Sequence, residues 1–251
     1  MGYYKILIAY DGFDYHGWQV QPEHLTIAGI LQERFKAVFQ KDIILVGASR
    51  TDAGVHALGQ VAIFSTDFDC SPEQLKDAWN RKLPPSILIR SLERADPQFH
   101  SQKNVNYKIY WYHVFLEQPL PFYARYGTWI KKPLNIEKLR IALAIFIGTH
   151  DFRSFCTGYE RENTVRTLYS IKLKYIVAYK VYRIEIKGNS FLRYMIRRIV
   201  GACLEIASSS ERDIQELVDA LRARDPLQLL PTAPAQGLML RKIVYHQKAG
   251  K

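Results

Sequence analysis

Short runs of β-branched and aromatic residues alternate along this chain with longer segments whose apolar residues recur at helical spacing. Residues 4–10, 107–116 and 238–245 are runs that predict strands, whereas residues 27–39 predict an amphipathic helix. Because the two kinds of element alternate in both halves, the order predicts an α+β fold. We expect two similar strand-rich subdomains that form a continuous mixed, largely antiparallel sheet, with helices on one side and a central active-site cleft.

Charge is divided unequally between the two halves of the chain. Residues 1–100 carry 10 basic and 12 acidic side chains, whereas residues 101–251 carry 25 and 12, which are net charges of −2 and +13. Together with a composition shift near residue 105, this predicts an N-terminal subdomain over 1–105 and a basic C-terminal subdomain over 106–251. A basic half of this size suits a polyanion such as a nucleic acid, although a solvated basic surface without a partner has the same composition.

Several classes of protein are disfavoured by the sequence. Cys70, Cys156 and Cys203 are far apart and lack the spacing of zinc ligands, so no metal site is predicted. No apolar run reaches the roughly 20 residues that span a bilayer, and the N-terminus has no signal-peptide pattern. We therefore expect a cytoplasmic protein with reduced thiols and no membrane partner.

A polar, glycine-rich segment at residues 47–60 lies between two apolar runs, 43–46 and 61–64, that predict buried strands. Asp52 is its carboxylate, and Arg50 beside it would favour the ionised form. The three glycines of this segment permit close approach of a ligand to the backbone. Loops held between strands often carry function, so the segment predicts an active site; a glycine-rich turn with a surface ion pair is the alternative.

Two further segments carry candidate functional residues. Residues 190–206 predict a long helix on which Arg193 and Arg197 share a face. We expect Arg197 to make an inward ion pair. Phe13, Tyr15 and Trp18 follow the first predicted strand, where they either stack on unpaired bases or pin the loop to the core.

These motifs together resemble those of the TruA-type tRNA pseudouridine synthases, and the match runs through almost the whole chain. The matching stretches are residues 10–12, 15–19, 21–22, 50–57, 99–100, 108–112, 191–201 and 233–238. The resemblance implies an isomerase that converts uridine to pseudouridine in the anticodon stem-loop of tRNA, at tRNA positions 38, 39 and 40. It also implies a homodimer and no cofactor.

The resemblance assigns a role to individual residues. Asp52 is the essential aspartate, which acts at the anomeric carbon of ribose or initiates glycal formation. Tyr110 is the tyrosine that stacks on the base and assists proton removal from its 5-carbon, and Arg197 pairs with the aspartate. The residues expected to bind substrate are Arg50, Thr51, His56, Leu238, Tyr15, Trp18, Gln19 and Arg193; among them, Arg50 would fill the space of the flipped base and Leu238 would line the uracil pocket.

Two alternatives to this function remain open from the sequence. A tRNA-binding module without turnover would account for the basic half, and a nucleoside hydrolase would release free uracil. The chain also departs from the family pattern at Ser101, Gln102 and Lys103, and at Ile109, where the family usually has a polar residue. These departures concern the contacts with RNA and the choice of target, not the chemistry.

Overall fold

The computed structural model describes residues 1–68, 70–157, 163–228 and 230–246, which form ten β-strands and five α-helices. In chain order these are β1 (Gly2–Tyr10), α1 (Ile27–Phe39), β2 (Val46–Gly47), β3 (His56–Thr66), α2 (Pro72–Asn80), β4 (Ile87–Arg94), β5 (Val105–Phe115), β6 (Thr128–Trp129), α3 (Ile136–Ala144), β7 (Gly148–Asp151), β8 (Val165–Ile176), β9 (Val181–Gly188), α4 (Met195–Ser208), α5 (Gln215–Ala223) and β10 (Leu238–Tyr245). The predicted α+β class is confirmed.

One compact unit contains the described residues of 1–106 together with residues 239–246. Its strands lie in the order β4, β1, β3 and β10, and the short β2 pairs with β3. Strand β1 is antiparallel to β3 and β4, whereas β10 is parallel to β3, with Met239 opposite His56. The sequence predicts this last strand within a C-terminal subdomain over 106–251; in the structure it pairs with β3 of the first unit.

The core of this first unit forms where its two helices pack against aromatic side chains. Helix α1 begins as predicted, because the Thr26 side chain accepts a hydrogen bond from Gly29 N. The Trp79 indole of α2 donates to the Leu31 carbonyl of α1 at 3.0 Å. The Phe35 ring packs edge-on against the same indole, with the ring centroids 4.9 Å apart. These contacts fix both helices in the unit that carries Asp52.

The second compact unit comprises residues 107–238. Its strands lie in the order β5, β9, β8 and β7, and each adjacent pair in this series is antiparallel; the short β6 pairs in parallel with the end of β5. Helix α4 is its most buried helix, since the side chains of Met195, Ile199, Val200 and Cys203 are completely inaccessible to solvent. Helix α4 therefore forms the centre of the core that supports the arginine-rich segment.

The strand predicted at residues 43–46 is shorter than expected and begins only at Val46. Leu45 N donates to the Gln32 side chain at 2.9 Å, so a side chain takes the place of a neighbouring strand. Ile44 is 79% exposed, and only Val46 and Gly47 pair with β3. The polar loop is thus joined to the sheet by a two-residue strand.

The predicted helix at residues 190–206 begins five residues later than expected, at Met195. Tyr194 has φ +61°, a left-handed conformation that a helix does not continue through. Residues 192–195 form a turn, in which Met195 N donates to the Leu192 carbonyl. Within this turn the Arg193 carbonyl accepts a hydrogen bond from Thr157 N. Arg193 therefore precedes the helix and does not share a helical face with Arg197.

Two further features concern the described residues only. None of their helices combines the length and the apolar composition needed to cross a membrane. Within the same ranges, His, Cys, Asp and Glu side chains do not gather in groups of three or more that could hold a metal ion.

Candidate active site

Asp52 opens a tight turn in the loop that joins β2 to β3. Val55 N donates to the Asp52 carbonyl at 3.2 Å, and Gly54 occupies the third position of the turn with φ +76°. A type II turn requires a positive φ at that position, which is why a glycine stands there. Val55 is buried, whereas Asp52 is half-buried and Arg50 is exposed. The turn therefore presents the carboxylate at the surface of a firmly anchored loop.

The segment that follows β1 holds the backbone on both sides of Asp52. Trp18 N donates to the Thr51 carbonyl at 3.1 Å, and Gly54 N donates to the Tyr15 carbonyl at 3.1 Å. The Tyr10 and Thr51 hydroxyls share a hydrogen bond of 2.7 Å. Since these bonds bracket the aspartate, its backbone position is set before any substrate binds.

Two glycines let the two segments approach each other. A Cβ on Gly12 would lie 1.9 Å from the Val55 carbonyl oxygen, and one on Gly17 would lie 2.5 Å from the Thr51 carbonyl oxygen. Gly12 N also lies 3.1 Å from His56 Nδ1. Any larger residue at either position would push the segment away from the Asp52 loop, because the two carbonyl groups in contact belong to the backbone and cannot rotate away as a side chain can.

The start of the loop is fixed by Gln60, whose role the sequence did not reveal. Its side chain is completely buried; Nε2 donates to the Ser49 carbonyl at 2.6 Å and Oε1 accepts from Ser49 N at 3.2 Å. The amide thus pairs with Ser49 as a neighbouring strand would. A lone glutamine at the end of a polar segment gives no signal of such a contact.

Two of the residues that depart from the family pattern also support this loop. The Ser101 hydroxyl donates to the Val46 carbonyl at 2.8 Å, and Gln102 Nε2 donates to the Gly47 carbonyl at 2.9 Å. Both carbonyls belong to β2, directly before the Asp52 loop. The side chains of Ser101 and Gln102 therefore serve the backbone that leads to the candidate site.

In the second unit, Arg197 lies in the first turn of α4 and its orientation is fixed by one backbone segment. Its Nε donates to the Ala233 carbonyl at 2.8 Å, and Ala233 N donates to the Arg197 carbonyl at 2.9 Å. Its guanidinium carbon lies 4.8 Å from the centre of the Tyr194 ring. Arg193, which is exposed, lies 5.3 Å from the same ring. Both arginines therefore lie near the Tyr194 ring, Arg193 in the segment before α4 and Arg197 in the first turn of the helix.

Tyr112 anchors the segment that leads from Ala233 to Leu238. Its hydroxyl donates to the Pro234 carbonyl at 3.0 Å, and since it has only one proton it accepts from the Thr128 hydroxyl at 2.6 Å. Burial raises the pKa of Tyr112 above its usual value, an effect that the nearby charge of Arg197 partly opposes. The ring also lies against Gly237, where a Cβ would come within 2.4 Å of it.

Replacing Tyr112 with Phe is expected to lower the free energy of unfolding by about 1–3 kcal/mol, because the Pro234 carbonyl and the Thr128 hydroxyl would lose their partner. Urea unfolding of the two proteins measures this difference. The matched control is Tyr175→Phe, at a tyrosine that is 47% exposed, where we expect almost no change. Equal stability of Tyr112→Phe and the wild type would contradict the role assigned to this hydroxyl.

Tyr110 lies on β5, two residues before Tyr112 and on the same face of the strand. It is 5% exposed and meets the edge of the Phe191 ring, with centroids 5.1 Å apart. Lys108 lies two residues earlier on that face, and burial lowers its pKa to about 8. The face of β5 that carries Tyr110 thus also carries a cation that loses its charge in mildly alkaline solution.

The expected substrate-binding residues divide by exposure. Arg50, Gln19 and Arg193 are exposed, whereas Thr51, His56, Tyr15, Trp18 and Leu238 are buried.

Tyr15 and Trp18 are occupied within the protein. The Trp18 indole packs so closely on Gly47 that a Cβ there would lie 2.3 Å from its Nε1, and the Tyr15 hydroxyl bonds Ser86 at 2.6 Å. These two rings therefore pin the loop to the core, whereas Phe13 of the same segment is 48% exposed. Gln19, next to them, remains accessible.

Comparison with known proteins identifies the class to which this fold and these residues belong. The family model for "tRNA pseudouridine synthase" matches residues 6–108 and 142–246. The protein is 37% identical over 253 residues to tRNA pseudouridine synthase A 1 of Protochlamydia amoebophila, covering 98% of each chain. It is 37% identical to tRNA pseudouridine synthase A of a Thermoanaerobacter species and 36% identical to that of Aquifex aeolicus, covering in each case 96% of this chain and 98% of the relative.

The chain belongs to the tRNA pseudouridine synthase family. The resemblance seen in its motifs is confirmed, and so is the expectation that it is an enzyme of the isomerase class. The matched residues include Asp52 in the first unit and Arg197 in the second, whereas residues 109–141 of the second unit, which contain Tyr110, lie outside the match.

Proposed function

We propose that this protein converts uridine to pseudouridine in the anticodon stem-loop of tRNA, at tRNA positions 38, 39 and 40. The observation that carries the proposal is the position of Asp52, half-buried at the start of a turn whose backbone is bonded on both sides. In this isomerisation the bond from uracil N1 to ribose C1′ breaks and a bond from C5 to C1′ forms. C5 loses a proton and N1 gains one, so no oxidant or second substrate is consumed.

In the proposed mechanism the Asp52 carboxylate starts the reaction at the sugar. It either attacks C1′ as a nucleophile or assists loss of a sugar proton to give a glycal, and both routes require the ionised form. Arg197 pairs with Asp52 and favours that form. Support for Arg197 comes from its fixed guanidinium, which the Ala233 carbonyl orients through Nε.

Tyr110 is proposed to stack on the detached uracil and to assist removal of the proton from C5. Leu238 lines the uracil pocket, and Arg50 fills the space that the flipped nucleotide leaves in the RNA. Flipping costs a few kcal/mol, and less for a base in a loop than for one in a paired stem. The exposure of Arg50 and the burial of Tyr110 and Leu238 are consistent with these roles.

The remaining residues expected to bind substrate are proposed to act in two ways, by direct contact with the RNA or by shaping the pocket. Gln19 and Arg193 are exposed and are proposed to contact the RNA directly. Thr51 and His56, which are buried, are proposed to shape the pocket through the loop. The basic half of the chain would attract the RNA backbone.

We also propose that the protein forms a homodimer and acts in the cytoplasm.

Mapping pseudouridines in bulk tRNA after incubation with the purified protein tests this function. We expect new pseudouridine at one or more of positions 38, 39 and 40, in tRNA taken from a strain that lacks the modification there. A tRNA-binding module without turnover would leave every uridine unchanged. New pseudouridine confined to another arm of the tRNA would overturn the assigned target while leaving the chemistry intact.

A further inference from the structure

Tyr194, the residue directly before α4, has a backbone conformation that an aromatic residue disfavours. Its φ of +61° and ψ of −1° lie in the left-handed region, which glycine and asparagine enter far more readily. Among the described residues, the other non-glycine residues with positive φ are Glu23, Gln40, Lys180 and Arg224. Gln40 and Arg224 end helices, where this conformation is common. Tyr194 begins a helix, so helix geometry does not account for its conformation.

The side chain of Tyr194 does not cap the helix either. The Tyr194 carbonyl accepts the first helical hydrogen bond, from Arg198 N at 2.9 Å, which makes Tyr194 the N-cap of α4. An N-cap is normally an extended residue whose side chain accepts a hydrogen bond from the backbone, as Thr26 and Ser71 do for α1 and α2. Tyr194 makes no such bond. A strained residue without a capping role points to a function of its side chain.

The Tyr194 ring contacts two cations. The guanidinium carbon of Arg197 lies 4.8 Å from the ring centre, and that of Arg193 lies 5.3 Å from it. Both distances are within the roughly 6 Å over which a cation is attracted to an aromatic ring. Arg197 is half-buried, whereas Arg193 is exposed. Since water weakens this attraction at exposed sites, the ring acts mainly on Arg197.

Two contacts together fix the plane of the Arg197 guanidinium. Its Nε donates to the Ala233 carbonyl at 2.8 Å, which holds one edge of the group. A single hydrogen bond leaves the plane able to tilt about that bond, and the Tyr194 ring beside the group opposes the tilt. A guanidinium binds a carboxylate with a planar fork, so this orientation decides whether Arg197 can pair with Asp52.

We propose that Tyr194 is a positioning residue for Arg197, and that its left-handed backbone serves to hold the ring against the guanidinium. The inference rests on the proposed function, in which Arg197 pairs with Asp52. Tyr194 contacts neither the sugar nor the uracil in that scheme. Its replacement should therefore lower kcat through Arg197 and leave KM nearly unchanged.

Steady-state kinetics of Tyr194→Asn and Tyr194→Phe on a tRNA transcript test the role of the ring. Asparagine adopts the left-handed conformation readily, so it removes the ring without moving the start of α4. We expect kcat to fall by about 3- to 30-fold, the range that corresponds to loss of a partly desolvated cation–π contact. Phenylalanine keeps the ring and should restore kcat. The matched control is Tyr175→Asn, at a tyrosine of β8 that is 47% exposed, which should change neither constant.

A double-mutant cycle shows whether Tyr194 acts through Arg197. In an Arg197→Gln background the guanidinium is absent, so Tyr194→Asn should lower kcat by less than about 2-fold. A loss as large as in the wild-type background would overturn the proposal, because the ring would then act on another group. A loss that Tyr194→Phe shares would overturn it as well, since the hydroxyl would be responsible. A raised KM with unchanged kcat would identify Tyr194 as an RNA contact instead.

A readout independent of catalysis separates this inference from the proposed function. In NMR spectra of the protein with isotope-labelled arginine, the Nε–H signal of Arg197 is identified by its disappearance in Arg197→Gln. Tyr194→Asn should shift this signal and speed its exchange with water, whereas Tyr194→Phe should do neither. That result in a protein that forms no pseudouridine would overturn the proposed function alone. An unchanged signal in Tyr194→Asn would overturn the positioning role whatever the activity.

Circular dichroism and thermal unfolding confirm the fold of each variant. If Tyr194→Asn does not fold, Tyr194→Gly takes its place, because glycine also enters the left-handed region and also lacks the ring. The same kinetic and NMR results are expected of it, and the same outcomes would overturn the proposal.

Discussion

Asp52→Asn is expected to reduce the rate of pseudouridine formation by at least about 10⁴-fold, the scale on which enzymes lose activity without an essential nucleophile or its equivalent. Asparagine has nearly the size of aspartate but carries no negative charge at any working pH. It can neither attack the anomeric carbon nor remove a proton from the sugar. Both proposed routes therefore fail with the same substitution.

The structure also predicts what this substitution leaves intact. The turn is held by the Asp52 backbone carbonyl and by bonds to Thr51 and Gly54, none of which uses the carboxylate. Affinity for tRNA, measured by fluorescence anisotropy, should therefore remain close to that of the wild type. The control is Asp42→Asn, whose exposed carboxylate forms an ion pair with Lys36, the two atoms 3.0 Å apart. Undiminished product yield from Asp52→Asn would eliminate the proposed catalytic carboxylate.

Arg197→Lys is expected to lower kcat by about 10- to 100-fold with little change in KM. Lysine keeps the charge but lacks the Nε that donates to the Ala233 carbonyl, and it lacks the planar fork that suits a carboxylate. Loss of a hydrogen bond to a charged group costs about 1.5–3 kcal/mol, which corresponds to that range. Steady-state kinetics on a tRNA transcript measure both constants.

A pH profile distinguishes this catalytic effect from a merely structural one. If Arg197 favours the ionised form of Asp52, its replacement should move the acidic limb of the kcat profile to higher pH. Arg222→Lys, at an exposed arginine of α5, should leave the profile unchanged. Full activity of Arg197→Lys with the wild-type profile would show that the proposed pairing is not needed.

Local signals in the sequence were sufficient for much of the fold. Thr26 caps α1, and Ser71 forms a capping box with Gln74 at the start of α2, an arrangement that the spacing of such residues generally indicates. Each signal involves residues no more than three positions apart, so it can be recognised without the fold. The same holds for the glycine that the turn after Asp52 requires.

The parts of the site that escaped prediction depend on contacts between distant positions. Tyr112 bonds a carbonyl 122 residues later in the chain, and nothing near it in the sequence indicates a partner. Gln60 pairs with Ser49 by folding back over the polar loop. Tyr194 has a helix-compatible sequence on both sides, and only its positive φ moves the start of α4 to Met195.

Burial was equally hard to infer for the aromatic residues of the first loop. Tyr15 and Trp18 have the composition of a base-stacking surface, and which use applies depends on whether the core has room for them. It does, because Gly47 leaves space for the Trp18 indole and Ser86 supplies a partner for the Tyr15 hydroxyl. Gly47 and Ser86 are distant from these aromatic residues in the sequence, and neither residue indicates by itself that it contacts them.

The central claim is that uracil leaves the sugar and returns through C5 without escaping from the protein. The most direct measurement uses tRNA whose uridines carry tritium at C5 and follows label released to water, label in free uracil and pseudouridine formed. The account predicts one tritium released to water for each pseudouridine formed and no free uracil. Stoichiometric release of labelled uracil, with no pseudouridine in the tRNA, would contradict it and identify a hydrolase.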